Sequence, residues 1–318
     1  MTLQQLGYAI AVAEEGSISR AAARLYIAQP SLTAAIAALE RETAIRLFVR
    51  TNRGVVPTAE GEDFLAYARQ VCQQYDLLLD RFGGKKRRRR FAVSTQHYSF
   101  AIKAFVDTVK KYDTLDFDFA IRETRTDTVI RDVGSLRSEI GILFLSDLNR
   151  KVLTRLFAEQ ELTFHPLAEC KAYVYLWKNH PLARESSIRF ERLRDYPCLS
   201  FEQGERSSLF LAEEILAEND YPRVIRTEDR ATMLDLMIGL NGYTLCSGII
   251  CEELSGSDFC TVPFEDDETN RNSVMEIGYL TKKHGALSDI GETYITAVRQ
   301  TLAMAQKSLE ASPPQIVE

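Results

Sequence analysis

The chain has 318 residues, 45% of them hydrophobic and 26% charged, with a formal net charge of −6. That is ordinary composition for a folded protein of two or three domains, so no part need be disordered on average. Charge is unevenly split: residues 1–90 hold 14 Lys and Arg against 9 Asp and Glu, and the remainder holds 25 against 36. A nucleic-acid contact is therefore expected of the N-terminal part alone. No window reaches the length of a membrane span, and Met1-Thr2-Leu3-Gln4-Gln5 does not read as a leader, so a cytoplasmic location is expected.

Leu6, Ile10 and Ala13 recur at i, i+4 and i+7 and predict a first helix that stops at Gly16. A second helix is expected to start on Ser17 or Ser19 as its cap, with Ala21 to Ala23 small enough for close crossing. Pro30 fits the first turn of a third, whose apolar positions are Leu32, Ile36 and Leu39. Two short helices joined by a tight turn form the helix-turn-helix plan, in which Gln29, Ser31 and Thr33 stand where base edges or phosphates are met. The alternating stretch Phe48 to Val56 turns at Asn52 to Gly54 and reads as a two-stranded wing that sets Arg50 and Arg53 beside the phosphate backbone.

Between Thr58 and Phe82 the apolar residues alternate by three and four, predicting a helix about 37 Å long at 1.5 Å per residue. Such a seam either pairs with a second copy of itself or lies on its own domain. Gly83-Gly84 ends it, and Lys85-Lys86-Arg87-Arg88-Arg89-Arg90 follows as a solvated hinge or a supplementary phosphate contact.

After residue 90 strands and helices alternate. Strands are expected at Phe91–Ser94, Phe117–Ile121 and Ile140–Leu145, with helices at Ser99–Tyr112 and Asp127–Arg137, an order that implies a mostly parallel, helix-covered sheet. A second such unit is expected from strands near Lys171–Trp177, Cys198–Phe201, Arg223–Thr227 and Tyr243–Ser247 and helices near Arg206–Asn219 and Asp229–Leu240. Strand Ser273–Thr281 and helix Ser288–Gln306 complete the body. The junction Ser94-Thr95-Gln96-His97-Tyr98-Ser99 ends a strand and opens a helix, a place where free N–H groups favour an anion. Each of these residues could equally serve capping or turn chemistry. His97 could meet a ligand carboxylate, sense pH or cap the helix.

Several blocks then stand in family order: Ser17-Ile18-Ser19-Arg20-Ala21-Ala22-Ala23-Arg24-Leu25, Gln29-Pro30-Ser31-Leu32-Thr33, Leu39-Glu40, Arg46-Leu47-Phe48-Val49-Arg50 and Pro57-Thr58-Ala59-Glu60-Gly61. Residues 1–66 resemble the winged helix-turn-helix of LysR-type transcriptional regulators. Further pieces, among them His180-Pro181-Leu182-Ala183 and Met237-Ile238-Gly239-Leu240-Asn241-Gly242-Tyr243, resemble the effector domain of the same family, itself similar to periplasmic solute-binding proteins. The family usually has Arg and a long polar residue after the position of Thr33, where this chain has Ala34 and Ala35. Base readout is accordingly expected to be thin, with more affinity from Arg20, Arg24, Arg46, Arg50 and Arg53 on phosphates.

The resemblance implies an α-helical winged helix-turn-helix (1–57), a linker helix and basic hinge (58–90), and an α/β two-lobed, periplasmic-binding-protein-like effector domain (91–306), with 307–318 a loose tail. Lobe I would take residues 91–160 and 265–306, and lobe II 161–264. It places the 94–99 junction at the effector cleft with Thr126, faced by Ser200, Phe201 and Glu202 from the other lobe and by Ser247 at the start of a further helix. The donors at the junction favour a small carboxylate, while Glu202 could hold the ammonium of an amino acid. Also implied are a pseudo-palindromic double-stranded DNA operator, a homodimer or homotetramer paired through the long helix, and RNA polymerase as a further partner.

The six cysteines form no Cys-x-x-Cys pair and read as reduced and mostly buried, with Cys246 and Cys251 leaving a redox-sensing role open. The four histidines are far apart in sequence, so no metal site is expected, and no cofactor motif, nucleophile elbow or clear paired-carboxylate site points to an enzyme. A solute-binding or transport protein is the alternative that the C-terminal fold alone would allow.

Overall fold

The computed structural model describes residues 1–51, 54–82, 89–112, 116–204, 209–251, 254, 256–266, 273–283 and 285–311. The expectations for Arg53, for residues 85–88 and for the tail beyond 311 fall outside them. The chain divides into two units, residues 1–87 with 134–137 and residues 88–133 with 138–318.

In the first unit, α1 (Leu3–Glu15) opens on a capping box: the Thr2 hydroxyl accepts from the Gln5 N–H, and the Gln5 side chain accepts from Thr2 N–H. It ends at Gly16 in the left-handed region, φ 58°. Ser17, not Ser19, caps α2 (Ile18–Arg24), and Ala21 and Ala22 are buried where α2 meets its neighbours. α3 (Gln29–Thr43) carries Pro30 in its first turn, where a missing N–H costs nothing, and buries Leu32, Ile36 and Leu39. Strands β1 (Phe48–Thr51) and β2 (Gly54–Pro57) pair antiparallel with Arg50 opposite Val55. The Glu40 carboxylate anchors this wing by accepting from the Leu47 and Phe48 N–H groups at 2.8 and 3.3 Å. Gly54 must be glycine: a Cβ there would stand 2.4 Å from the Gly16 carbonyl oxygen, to which Val55 N–H donates. α4 (Ala59–Phe82) follows, with Thr58 accepting from Gly61 N–H at its start.

The second unit is built on a five-stranded sheet in the order β4-β3-β5-β12-β6, comprising β3 (Arg89–Thr95), β4 (Phe117–Glu123), β5 (Ile140–Leu145), β6 (Leu162–Lys171) and β12 (Val274–Lys282). β3 runs parallel to β4 and β5; β12 runs antiparallel to β5 and β6. β5 is buried along its whole length, as a central strand covered on both faces must be. On one face, Phe100, Ala101 and Ala104 of α5 (Ser99–Lys111) and Tyr294 and Val298 of the C-terminal helix α10 (Asp289–Ala311) join the largest core. On the other, Val129 and Val133 of α6 (Thr126–Gly134) and Leu153 and Phe157 of α7 (Arg150–Glu159) pack with Leu143 and Leu280.

The remaining strands form two small sheets. β7 (Tyr173–Trp177) lies antiparallel between β10 (Thr244–Cys246) and β11 (Phe259–Pro263), and β8 (Cys198–Phe201) is parallel to β9 (Val224–Thr227). A bridge from Cys198 to Tyr243 connects them. α8 (Phe190–Leu193) and α9 (Arg230–Leu240) complete the lobe, Met233 and Met237 of α9 covering Leu199.

Four expectations are corrected. The second lobe is not a repeat of the first, because its central strand has antiparallel partners on both sides. β6 belongs to the first sheet, so residues 162–171 lie in lobe I and not at the start of lobe II; Pro166 interrupts its pattern and is tolerated because β6 is an edge strand. In place of a helix over Arg206–Asn219 the described residues hold one 3₁₀ turn, Leu209–Leu211, followed by turns, since Glu213 and Glu214 at its centre are drawn inward by polar contacts. No helix starts at Ser247-Gly248; Gly248 has φ +76° and the stretch to Cys251 is open chain.

Candidate functional site

Two surfaces of the first unit carry the residues expected to meet DNA. Gln29, Ser31 and Thr33 are exposed on the first turns of α3. Ser19 donates to the Gln29 side-chain oxygen at 3.0 Å, which fixes the amide from α2, and the Thr33 hydroxyl donates to the Gln29 carbonyl. Ser31 and Arg50 are exposed, on α3 and on β1 of the wing. Arg20 donates to the Glu15 carbonyl and remains 68% exposed, whereas Arg24 is held by Glu14 and Glu15 at 2.7 and 3.1 Å. The hydrogen bond to Glu14 raises the Arg24 pKa, so this guanidinium already has acidic partners. Tyr26, not foreseen from the sequence, stands 96% exposed at φ 56° in the turn between α2 and α3. Tyr67, Val71, Tyr75 and Leu78 form an exposed apolar stripe along α4, spaced by four, four and three.

In the second unit, β3 and α5 open on a cavity of about 700 Å³, including the part continuous with solvent. Of the residues expected at an effector cleft, His97, Ser99, Phe201 and Ser247 line it. The others lie elsewhere. Ser94 donates to Asp132 at 2.6 Å and pairs with Ser138; the Thr95 hydroxyl donates to the Gln96 carbonyl; the Gln96 amide donates to Thr126 at 2.6 Å and its oxygen accepts from Phe144 N–H. All four are completely buried, with their polar groups taken up by the chain itself. Ser200 belongs to the β8–β9 pair, and Glu202 N–H donates to the Thr227 carbonyl.

The chemistry of the cavity is set by groups the sequence did not reveal. Glu213 and Glu214 are both buried and both line it. One Glu213 oxygen accepts from His97 twice, from the backbone N–H at 2.9 Å and from Nδ1 at 2.8 Å, while the other accepts from the Gln203 amide at 2.8 Å. The His97 ring stacks on Phe201 with centroids 3.7 Å apart and an 8° angle. Glu214 accepts from Phe201 N–H at 2.7 Å. Burial, then the neighbouring Glu213, pushes the Glu214 pKa up to about 8. Arg230 at the start of α9 lines the cavity and is ion-paired to Glu123. The sequence offers Glu213 and Glu214 only as charges within the helix expected near Arg206–Asn219, and no apolar period singles them out.

Burial pushes the Cys170 thiol up to about 11 and those of Cys198 and Cys246 up to about 12. Thiolate is scarce in such sites at neutral pH. Among the described residues no group of three His, Cys, Asp or Glu is placed to hold a metal ion, and no helix is long and apolar enough to cross a membrane.

A winged helix-turn-helix followed by a two-lobed α/β body with a cavity defines a DNA-binding transcriptional regulator. Residues 3–62 match the bacterial regulatory helix-turn-helix of the lysR family, and residues 115–303 match the LysR substrate binding domain. The chain belongs to the LysR family. The Escherichia coli K12 regulator YnfL is 30% identical over 215 residues, 65% of this chain and 68% of its own. Among solved structures, a full-length OxyR variant from Pseudomonas aeruginosa is similar with a TM-score of 0.66 at 19% identity, covering 94% of this chain and 98% of that one. Full-length CbnR complexed with its target DNA is similar with a TM-score of 0.54 at 18% identity, covering 95% of this chain and 100% of the other. At these identities the two structures share the fold.

Proposed function

We propose that this LysR-family regulator works in the cytoplasm as a homodimer or homotetramer, that it binds a pseudo-palindromic operator, and that a small molecule in the cavity of its second unit controls promoter output. The cavity carries the reading: a concave site with aromatic walls and a few buried polar groups is where a small ligand binds. Gln29, Ser31 and Thr33 serve base readout and Arg20, Arg50 and Arg53 the phosphates, a division of labour in which backbone contacts position and base contacts specify. The stripe Tyr67, Val71, Tyr75 and Leu78 is the pairing surface, since so much regularly spaced apolar area on one helix is otherwise left in water. RNA polymerase is the further partner through which placement of the DNA-binding units becomes output. The role is one of binding, without catalysis.

Met233→Trp tests the effector reading. The larger ring fills the cavity from α9, so a promoter reporter should lose its response to inducing growth conditions while gel-shift affinity for the operator stays as in the unaltered protein. A reporter response equal to that of the unaltered protein would place the effector elsewhere.

A further inference from the structure

The cavity already contains an anion of its own. Backbone N–H and ring Nδ1 of His97 stand at the β3-to-α5 junction, the position from which a ligand carboxylate would be received, and both donate to one oxygen of Glu213. Two further donors of the wall are also given to the chain. Arg230 is paired with Glu123, and the Tyr98 hydroxyl donates to the Gln96 oxygen at 3.0 Å. A second anion brought here would sit beside the Glu213 carboxylate in a site screened from water, where like charges repel far more than in solution.

A cation meets the opposite situation. Glu213 and Glu214 are consecutive, buried and on the wall, and Tyr98, Tyr175 and Phe201 supply aromatic surface next to them. An ammonium group loses its hydration on entry and recovers it only through charge-assisted hydrogen bonds to carboxylates and through the faces of aromatic rings. We infer that the effector of this cavity is a small organic cation, a primary or secondary ammonium on an apolar body, received by Glu213 and Glu214. This rests on the reading of the cavity as the effector site and replaces the carboxylate that the strand-to-helix junction suggested. Glu214, held protonated near neutrality by burial, gives up its proton when a cation arrives beside it, so both carboxyl groups then oppose the ligand charge.

The test uses the full-length chain and three probes of matched shape, phenethylammonium, phenethyl alcohol and hydrocinnamate, followed by calorimetry and by hydrogen exchange of peptides covering residues 97–99 and 244–249. Phenethylammonium should bind at least about tenfold more tightly than hydrocinnamate and protect those peptides. Glu213→Gln should erase the preference; should that variant not fold, Glu214→Gln, which keeps an acceptor for Phe201 N–H, should still weaken the ammonium. Hydrocinnamate binding more tightly with the same peptides protected overturns the cation and leaves the cavity as the effector site. No binding of phenethylammonium at millimolar concentration overturns the cation as well. Binding of phenethylammonium that protects other peptides and survives Met233→Trp overturns both readings.

Discussion

Glu214 makes the stability of the second unit depend on pH in an unusual direction. Its folded pKa, near 8, lies above the usual carboxylate value of 4.5, so between those limits the folded protein holds a proton that the unfolded chain has released. The contribution of this group is therefore complete below about pH 4.5 and is lost as pH rises through 8, at a limiting rate of about 1.4 kcal/mol per pH unit. Glu214→Gln keeps the acceptor for Phe201 N–H and removes the titration. Thermal melts from pH 5 to 8 should show a flatter profile for the variant and a higher melting temperature at pH 8; parallel profiles would mean that the carboxyl group is ionised in the fold. At Thr95 the buried hydroxyl donates to the Gln96 carbonyl, so Thr95→Val should cost roughly 1 kcal/mol of stability and leave ligand affinity intact. Denaturant titration and calorimetry separate the two, and an unchanged stability would sink the assignment. The sequence marks Thr95 as polar at a strand end and cannot tell whether such a group faces a ligand or the chain, because both uses satisfy the same hydroxyl.

Elements differ in how far local pattern determines them. The three helices and wing of the first unit were legible because each has its own punctuation, Gly16, Ser17, Pro30 and Gly54, and because every apolar repeat has a single core to face. The segment after β8 was not, since its buried residues include two glutamates whose partners, His97 and the Phe201 N–H, are set by tertiary contacts. For α4 the seam read from the sequence divides: Leu65 and Ala68 are buried in the first unit, whereas Val71, Tyr75 and Leu78 are exposed, Leu78 being 56% accessible. Leu78→Glu should thus leave the first unit folded and shift sedimentation toward smaller species, because an unpaired charge in a pairing surface is costly to bury. An unaltered distribution of mass would remove α4 from the interface. On the wing, Arg50→Ala should weaken binding to all DNA and lower the salt slope by about 1, whereas Gln29→Ala should chiefly reduce operator preference. Gel shifts at several salt concentrations compare them, and equal loss on operator and unrelated DNA for Gln29→Ala would remove that residue from base readout.

At the scale of the whole second unit, the two lobes are joined by more than their connecting strands. Glu123 and Arg125 at the end of β4 reach Arg230 and Glu228 of the other lobe, an exchange of charges in which each side gives one cation and one anion. Thr126 adds two further ties, its N–H donating to Gln203 and its hydroxyl to the Leu211 carbonyl, while His97 holds Glu213. The buried ties are specific and the ion pairs are partly solvated, so the latter are worth about 0.2–1 kcal/mol each and are screened by salt. A single apolar core also runs from Ile142 and Phe144 of one lobe to Val174, Leu245 and Ile249 of the other, so this core and the Thr126 and His97 bonds are the strong part of the junction and the ion pairs the weak part. Glu123→Gln together with Arg125→Gln removes both exchanged pairs and leaves those bonds untouched. Loss of up to about 2 kcal/mol of closure energy corresponds to a severalfold to thirtyfold rise in open population. Hydrogen exchange at the amides of His97 and Thr126 should quicken by that factor at low salt and by less at high salt, where screening has already weakened the pairs in the unaltered protein. Exchange at both amides that stays the same at every salt concentration would show that the ion pairs contribute nothing to holding the lobes together.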